Sequence, residues 1–323
     1  MRAGSWASDV VHWGMRFIDA TTLDDALGPL DAVTAVTAAL RAGLDPAADP
    51  PRALVPTRHG HFLLMPAESG VAAGVKVATV APGNPAAGRP RIQATYLLFD
   101  AESLTLRAVL DGTALTNRRT AAVSFAAVGG ALDRLEGPVR VVVFGGGPQA
   151  LAHLDTAAAV LGRRLGAVTV ALRRPDRATA EVVSRGAVVS GEGPALAAAL
   201  GRADLVICAT TSRTPLFGAD AIPPGTVVVA VGSHEPDARE LDPALLARAT
   251  VVVEDVATAT REAGDVVLAL EEGALSPEAL VPLASVARGG LPPRTDRPLV
   301  FKSVGMAWED LVVARAVVDR LGS

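Results

Sequence analysis

A glycine-rich turn between an apolar run and an Ala-rich segment carries the clearest chemical signal in the chain. Within Val139–Ala150, the positions of Gly145, Gly147 and Ala150 match the G-x-G-x-x-G/A pattern of dinucleotide-binding turns. Glycine lets a pyrophosphate approach the free N–H groups at a helix N-terminus, and proline suits the first helical turn. Glycine triplets also occur in ordinary loops, so neighbouring elements must support this interpretation. The predicted cofactor contacts here are Gly145, Gly147, Pro148, Gln149 and Ala150.

Two arginines after the next predicted strand bear on the choice of cofactor. Arg173 and Arg174 follow Val168–Leu172, where an acid would bind the 2′-hydroxyl of NAD and an arginine would accommodate the 2′-phosphate of NADP. We therefore favour NADP(H) and keep NAD(H) as possible; a solvated basic turn is the alternative. Thr210 and Val231, which come at the ends of two later strands, are further predicted cofactor contacts.

Several cations occur where apolar residues would be expected. Lys76 interrupts Val71–Val80, and a buried ammonium is costly unless it is paired; an exposed face of an edge strand is the alternative. Arg52 follows two prolines, and Arg118 and Arg119 open an Ala-rich helix, where cations oppose the helix dipole. Three separated cations at one cleft would suit a small substrate carboxylate held by guanidinium groups.

Histidines give one candidate for acid–base chemistry. His234 lies in the loop after the predicted strand Thr226–Val231, and ligands bind outside the carboxyl ends of parallel strands. It is therefore a candidate acid, base or nicotinamide contact, with an ordinary polar loop residue as the alternative. His59 and His61 form a His-x-His pair without a nearby acid or third histidine, and we predict no metal site.

The first part of the chain reads as a helix followed by short strands. Apolar spacing predicts a helix over residues 22–42 and another over residues 116–131, and Asp111-Gly112 is most simply a turn. The strand-like runs between them are separated by tight turns and predict an antiparallel or mixed sheet. They cover residues 61–65, 71–80, 92–99 and 104–110.

After residue 138 the pattern changes to strand–helix alternation, which predicts a parallel sheet covered on both faces. The alternation ends near Val300, and Met306–Leu321 is predicted to be a final helix. The predicted strands are residues 139–144, 167–172, 204–209, 226–231 and 250–253, and the predicted helices are residues 148–161, 176–185 and 194–200.

Composition excludes several classes. The 323 residues can form two domains, and a net charge of −4 gives no electrostatic reason to expect nucleic acid or an anionic membrane as a partner. The single cysteine, Cys208, lies in an apolar run, so it cannot form an internal disulfide and is predicted to be a buried structural thiol. Neither a signal-peptide core nor a bilayer-spanning stretch is present, which predicts a cytoplasmic protein.

Several short motifs together resemble the ornithine cyclodeaminase and mu-crystallin family. They run in the family's order through nearly the whole chain, which makes the match specific. These motifs are Leu64-Met-Pro66, Gly74-Val-Lys76, Gln93-Ala94, Asp111-Gly112, Thr116, Arg119-Thr-Ala-Ala122, Gly145-Gly-Gly-Pro-Gln-Ala150, Arg239-Glu-Leu241 and Phe301-Lys-Ser-Val-Gly-Met-Ala-Trp-Glu-Asp310.

The resemblance implies an α/β fold in which a Rossmann-type doubly wound parallel sheet is inserted into a smaller α+β domain. Residues 121–300 would bind the dinucleotide, and residues 1–120 plus 301–323 would bind substrate and form a homodimer. Arg52, Lys76 and Arg119 fall on the family positions that hold the substrate carboxylate.

One departure from the family pattern concerns His234. In ornithine cyclodeaminases the corresponding loop position carries an aspartate, thought to act as base and ammonium contact. Here His234 is followed by Glu235-Pro-Asp237, and the Pro-Asp-x-Arg-Glu-Leu-Asp pattern is closer to the mu-crystallin, ketimine reductase branch. A histidine cannot pair with an ammonium as a carboxylate does, so cyclodeamination would need Glu235 or Asp237 to take over.

We therefore expect an NAD(P)H-dependent reductase of a small cyclic imino acid, such as pyrroline- or piperideine-2-carboxylate. Arg52, Lys76 and Arg119 would hold the carboxylate, and His234, a water that it holds, or Lys76 would protonate the imine nitrogen. The alternatives are a cyclodeaminase acting on ornithine or a related diamino acid, an amino-acid dehydrogenase of the alanine dehydrogenase type, and a non-catalytic small-ligand-binding protein.

Overall fold

The computed structural model describes residues 15–233, 235–290 and 296–322. Its strands are β1 (Arg16–Ile18), β2 (Ala53–Thr57), β3 (Gly60–Ser69), β4 (Ala72–Val80), β5 (Ile92–Asp100), β6 (Leu106–Asp111), β7 (Val139–Phe144), β8 (Leu165–Leu172), β9 (Ala187–Ser190), β10 (Leu205–Cys208), β11 (Val227–Ala230), β12 (Thr250–Val253), β13 (Leu280–Pro282) and β14 (Leu299–Lys302). Its helices are α1 (Ala20–Ala26), α2 (Pro29–Arg41), α3 (Gly112–Leu132), α4 (Pro148–Leu161), α5 (Ala180–Val183), α6 (Pro194–Leu200), α7 (Pro243–Arg248), α8 (Val256–Glu262), α9 (Gly264–Glu271), α10 (Leu283–Ser285) and α11 (Ala307–Gly322).

The first sheet has six strands in the order β1-β6-β5-β4-β3-β2. All its pairs are antiparallel except β1 with β6, so the predicted mixed sheet is confirmed. Met65, Lys76, Tyr96 and Leu110 are in register on four neighbouring strands, and residues in register share one face. All four are buried, so Lys76 is a charge within an otherwise apolar row on an inner strand.

The second sheet has eight parallel strands in the order β13-β12-β14-β11-β10-β7-β8-β9. The strand order reverses between β7 and β10, which is the switch point of a doubly wound sheet. Successive residues of the central strands pack alternately into two apolar clusters, one on each face of the sheet. The predicted Rossmann-type fold is confirmed.

Helices α3 and α11 connect the two sheets. Helix α11 packs on α2 and α3 and on strands β3, β4 and β5, while α3 also contacts β11 and β14. One apolar cluster therefore includes residues of the first sheet, of both helices and of one face of the second sheet. Side chains at the start of α11 and in the first half of α3 lie at the junction of the two sheets.

Some predicted elements are wrong. The helix predicted over residues 22–42 breaks before Pro29, because proline cannot donate the bond that would continue α1. Asp111 does not form a simple turn but accepts hydrogen bonds from the N–H groups of Thr113 and Ala114 as the N-cap of α3. Helix α3 therefore begins at Gly112, Arg118 and Arg119 lie beyond its first turn, and the argument from the helix dipole does not apply to them.

Strands β1 and β2 of the first sheet and β9, β13 and β14 of the second are not among the predicted strands. The helix predicted over residues 176–185 shortens to the four residues of α5. The alternation does end near Val300, as predicted, but with the unpredicted strand β14, which lies between β11 and β12 inside the parallel sheet. The thiol of Cys208 is buried, and burial raises its pKa well above the usual value, so the predicted structural role is confirmed. No helix in the part of the chain described above is long and apolar enough to span a membrane.

Candidate active site

Lys76 is buried and paired, as the sequence predicted for an ammonium inside a sheet. Only 3% of the residue is exposed, and its Nζ lies 2.8 Å from Oδ2 of Asp310 on α11 and 3.3 Å from Oγ1 of Thr116 on α3. Burial, with help from the nearby Arg119 cation, lowers the pKa of Lys76 to about 8, although Asp310 opposes the change. The alternative of an exposed edge strand is excluded.

Arg119 lies beside Lys76 and shares its counter-ion. Nη1 of Arg119 is 2.6 Å from Oε2 of Glu309, and its Nε is 3.3 Å from Oδ1 of Asp310. Burial alone would lower the pKa of Arg119, but the two carboxylates outweigh it and raise the pKa above its usual value. The guanidinium is therefore a permanent positive charge in a buried site.

Glu309 and Asp310, in the first turn of α11, are fully buried. The Glu309 carboxyl accepts a hydrogen bond from the N–H of Met306 and lies near the side chain of Glu254. Desolvation, together with Glu254, raises the pKa of Glu309 well above the usual value, despite the opposing effect of Arg119. The protonated form of Glu309 is therefore favoured, which leaves the neighbouring cations less neutralised.

Gly305 lies between the guanidinium groups of Arg52 and Arg119. Nη2 of Arg52 donates to the Gly305 carbonyl over 2.6 Å, and a Cβ at Gly305 would overlap the Arg119 guanidinium. The Gly305 N–H donates to Glu254. The structure thus brings Arg52 and Arg119 to the turn that follows β14, and Asp310 links Arg119 to Lys76.

Arg52 also forms an ion pair with Glu262 of α8, with Nε 2.9 Å from Oε2. It lines a cavity of about 280 Å³ between the segment before β2, α8 and the start of α11, together with Met65 and Met306. Asp49 lines the same cavity and accepts a hydrogen bond from the N–H of Trp308. Burial raises the pKa of Asp49 to about 7, against the effect of its backbone donors.

The predicted dinucleotide turn has the required backbone. Gly145 has a φ of 109°, and a Cβ there would lie 2.5 Å from the carbonyl oxygen of Ala209. Gly147 is the N-cap of α4 without a side-chain capping bond, a Cβ there would meet only open space, and Pro148 begins the helix. The free N–H groups of the first turn therefore face open space, which fits a pyrophosphate.

Gln149 and Ala150 complete the turn. Nε2 of Gln149 donates to Oδ1 of Asn117 over 3.0 Å. Its buried Oε1 has no hydrogen-bond partner among the residues that the structure describes, so an acceptor is left for a ligand. Ala150 is buried where α4 packs on the sheet, which explains the need for a small residue.

The remaining predicted residues are separated from the cation cluster. Arg173 and Arg174 are exposed after β8, and Thr210 and Val231 follow β10 and β11. Arg118 pairs with Asp24 instead of joining Arg119. His234 lies outside the described residues.

Sequence reasoning assigned no role to Glu309, Asp310, Glu254 or Asp49. Glu309 and Asp310 could have been found, because a charge among apolar residues is the signal that singled out Lys76, and these two acids stand at the start of an apolar helix. Glu254 follows the buried strand β12, and Asp49 precedes two prolines, and only the fold brings them to the start of α11.

The model of the ornithine cyclodeaminase/mu-crystallin family matches residues 20–323. The chain is 35% identical over 283 residues to Delta(1)-pyrroline-2-carboxylate reductase 2 of Burkholderia ambifaria, an alignment that covers 84% of this chain and 85% of that protein. It is 34% identical over 281 residues to the ketimine reductase mu-crystallin of Mus musculus, with 85% of each chain covered.

Solved structures show the same similarity. The Delta(1)-pyrroline-2-carboxylate reductase of Thermococcus litoralis, in complex with NADH and L-proline, superposes with a TM-score of 0.81 at 25% identity, covering 95% of this chain and 97% of that one. A probable ornithine cyclodeaminase from Bordetella pertussis superposes with a TM-score of 0.82 at 32% identity, with the same coverage.

Proposed function

Because the chain belongs to the ornithine cyclodeaminase/mu-crystallin family, we propose that it is an NAD(P)H-dependent reductase of a small cyclic imino acid. The substrate would be a ketimine such as pyrroline- or piperideine-2-carboxylate, and the product would be the cyclic amino acid. The relatives' names and the neighbour that holds NADH and L-proline support this substrate class.

The observation that carries the proposal is the grouping of three cations near the turn after β14, a strand of the dinucleotide-binding sheet. Arg52 and Arg119 meet at Gly305 in that turn, and Asp310 pairs with both Arg119 and Lys76. Lys76 and Arg119 are buried, so their contacts with a carboxylate are stronger than they would be on the surface. Such a site suits a small anionic substrate that must face a dinucleotide.

The roles of the residues follow from their charge and burial. Arg119 and Arg52 hold the substrate carboxylate, and the Lys76 ammonium fixes its orientation. A reduced nicotinamide dinucleotide bound at Gly145–Ala150 supplies the hydride. Orientation of this kind contributes at most about 7–11 kcal/mol to lowering a barrier.

Reduction of the C=N bond also needs one proton at the nitrogen. The Nζ of Lys76 is a suitable donor, because a pKa of about 8 leaves it mostly protonated at neutral pH while allowing it to release a proton. His234, or a water that it holds, is the competing donor. Asp310 would hold Lys76 in place during the transfer.

NADP(H) is the proposed cofactor, with NAD(H) as the alternative. The residues after β8 support this choice, because Arg173 and Arg174 are exposed there and no acid lies at the end of that strand. Replacing both arginines by serine is expected to raise the KM for NADPH and leave the KM for NADH unchanged. A wild-type preference for NADH would contradict the assignment.

The proposed assembly is a cytoplasmic homodimer. Residues 1–120 plus 301–323 would form the substrate and dimerisation domain, and residues 121–300 would form the dinucleotide domain. The presence of two separate sheets supports this division, although the boundary after residue 300 falls inside β14. Leu54, Val55 and Phe62 on the first sheet expose large apolar side chains, which supports association through that sheet. Light scattering on the purified protein measures its mass directly.

A substrate screen tests the proposed function. The purified protein is assayed with pyrroline-2-carboxylate, piperideine-2-carboxylate, 2-oxo acids plus ammonium, and ornithine, while NAD(P)H absorbance and released ammonia are recorded together. The proposal predicts loss of NAD(P)H with a cyclic imino acid and no ammonia requirement. Ammonia release from ornithine without a net absorbance change would identify a cyclodeaminase, and ammonium-dependent oxidation with a 2-oxo acid would identify an amino-acid dehydrogenase.

A further inference from the structure

Glu240 is a fully buried acid that the proposed chemistry does not use. It lies in the loop between β11 and α7, and its residue exposure is 0%. Its Oε1 accepts hydrogen bonds from both the N–H and the hydroxyl of Thr210, each over 2.7 Å. Its Oε2 accepts from the N–H of Gly232, also over 2.7 Å. One carboxylate therefore ties together two loops that are distant in sequence.

Those two loops begin at the carboxyl ends of neighbouring strands. Thr210 comes two residues after β10, and Gly232 comes two residues after β11. Their approach is so close that a Cβ at Gly232 would overlap the Thr210 carbonyl oxygen and lie 2.6 Å from Oε1 of Glu240. Only glycine fits at this position, and the spacing of the two strand ends is therefore fixed by the Glu240 carboxylate.

A second buried acid fixes Glu240 itself. Oδ1 of Asp265, in α9, accepts from the N–H groups of Glu240 and Leu241 over 2.7 and 2.8 Å. Its Oδ2 lies 3.1 Å from Nζ of Lys302, the last residue of β14, and both side chains are fully buried. The cluster of Lys302, Asp265 and Glu240 thus joins the ends of β10, β11 and β14.

The position of this cluster in the sheet indicates which half of the dinucleotide it lies near. The dinucleotide turn after β7 lies on one side of the switch point, and the adenine ribose is read on the β8 side of that turn. The other half of the dinucleotide must extend to the opposite side, where β10 and β11 end. Buried ionic groups are expensive to maintain, and here all the donors that face the Glu240 carboxylate are backbone or hydroxyl groups of these two loops.

We infer that Glu240 is a positioning residue for the nicotinamide half of the dinucleotide, because its carboxylate sets the spacing of the loops after β10 and β11. This inference rests on the proposed function, namely on a dinucleotide bound at Gly145–Ala150. Glu240 itself does not contact the reacting atoms; it acts through Thr210 and Gly232.

The test compares a whole dinucleotide with a fragment that lacks nicotinamide. In Glu240→Gln, an amide group replaces one acceptor oxygen, so a donor faces the N–H of Gly232 or the donors of Thr210. Titration calorimetry measures Kd for NADPH or NADH, whichever the wild-type protein binds more tightly, and for 2′-phospho-ADP-ribose or ADP-ribose, respectively. We expect the Kd of the dinucleotide to rise about tenfold or more, while that of the fragment is unchanged.

Glu272→Gln is the matched control, because Glu272 is an exposed acid paired with Arg239, the neighbour of Glu240. It is expected to leave both Kd values unchanged. If Glu240→Gln does not fold, Thr210→Val removes the hydroxyl that donates to Glu240 and that accepts from the N–H of Ser212, while the backbone bond to Glu240 stays. It is expected to weaken binding of the dinucleotide severalfold without affecting that of the fragment.

Equal weakening of dinucleotide and fragment, or no change in either, would overturn the inference. These results are distinguishable from failure of the proposed function. If the wild-type protein binds no dinucleotide or reduces no imino acid, the proposed function fails. If the wild-type protein binds a dinucleotide and reduces an imino acid, but Glu240→Gln keeps the wild-type ratio of the Kd of the dinucleotide to that of the fragment, only the inference about Glu240 fails.

Discussion

Replacing Lys76 by methionine separates the chemistry of the site from its stability. Methionine has a similar length and no charge, so Lys76→Met removes the ammonium from the apolar row on strands β3 to β6 without leaving a large cavity. Asp310 loses one partner but keeps Arg119, whose Nε lies 3.3 Å away. The carboxylate is therefore not left as an unpaired buried charge.

The expected magnitude follows from the two roles proposed for Lys76. A hydrogen bond between a buried ammonium and a substrate carboxylate contributes about 1.5–3 kcal/mol. Proton donation contributes about 10²- to 10⁴-fold in rate. The value of kcat/KM for imine reduction should therefore fall by at least about 10³-fold. Removing one partner of a buried ion pair costs about 3–5 kcal/mol when the other charge is left unpaired. Because Asp310 keeps Arg119, the loss of stability should be smaller and the variant should remain folded.

The assay records NADPH absorbance with the cyclic imino acid that the wild-type protein reduces, alongside NADPH binding by fluorescence and thermal unfolding. Arg118→Met is the matched control, because Arg118 is the adjacent cation on α3 and pairs with Asp24 outside the cation cluster. It should keep nearly full activity. The reasoning is refuted if folded Lys76→Met, with normal NADPH binding, retains activity within about tenfold of wild type.

Three further outcomes are expected. The value of kcat/KM for imine reduction should fall as pH rises through about 8, where Lys76 loses its proton. Because Asp310 raises the pKa of Lys76, Asp310→Asn should move this fall to lower pH. A pH profile that does not shift in the variant would argue for another proton donor. Gly305 has a φ of 75°, and a Cβ there would overlap the Arg119 guanidinium. Gly305→Ala should therefore lower the free energy of unfolding, measured in urea, by about 1–3 kcal/mol and also lower the activity. Unchanged stability and activity would mean that the turn can relax. Asp49 binds a proton more tightly in the folded chain, so its contribution to the free energy of unfolding should decrease by about 1.4 kcal/mol for each unit that the pH rises between about pH 4 and pH 7. Urea titrations at pH 5 and pH 8 should therefore show a smaller difference in stability for Asp49→Asn than for the wild-type protein.

Much of the fold and part of the site could be predicted from local sequence. The parallel sheet, the turn at Gly145 and the buried setting of Lys76 were predictable, because runs of apolar β-branched residues and a charge within such a run have few interpretations. Strand β14 was missed since four residues after a proline-rich loop give no periodicity, although they fill the gap between β11 and β12. Local pattern cannot show a position in a sheet that long-range pairing decides.

The counter-ions of the site show a second limit. Sequence reasoning placed Arg52, Lys76 and Arg119 near one another but left them free to bind a substrate. In the structure they are paired with carboxylates that come from α8 and α11, far along the chain. Which charge meets which partner is set by the packing of α11 on α3 and the first sheet and by the position of α8, and no spacing rule in the sequence contains that information.

A crystal structure with NADP⁺ and the cyclic amino acid product bound would show whether the three cations hold the substrate carboxylate. We expect the product carboxylate within hydrogen-bond distance of Arg52, Lys76 and Arg119, with the ring carbon next to the carboxylate facing the nicotinamide. A product carboxylate bound away from these side chains, or a dinucleotide that does not reach the turn after β14, would contradict this expectation.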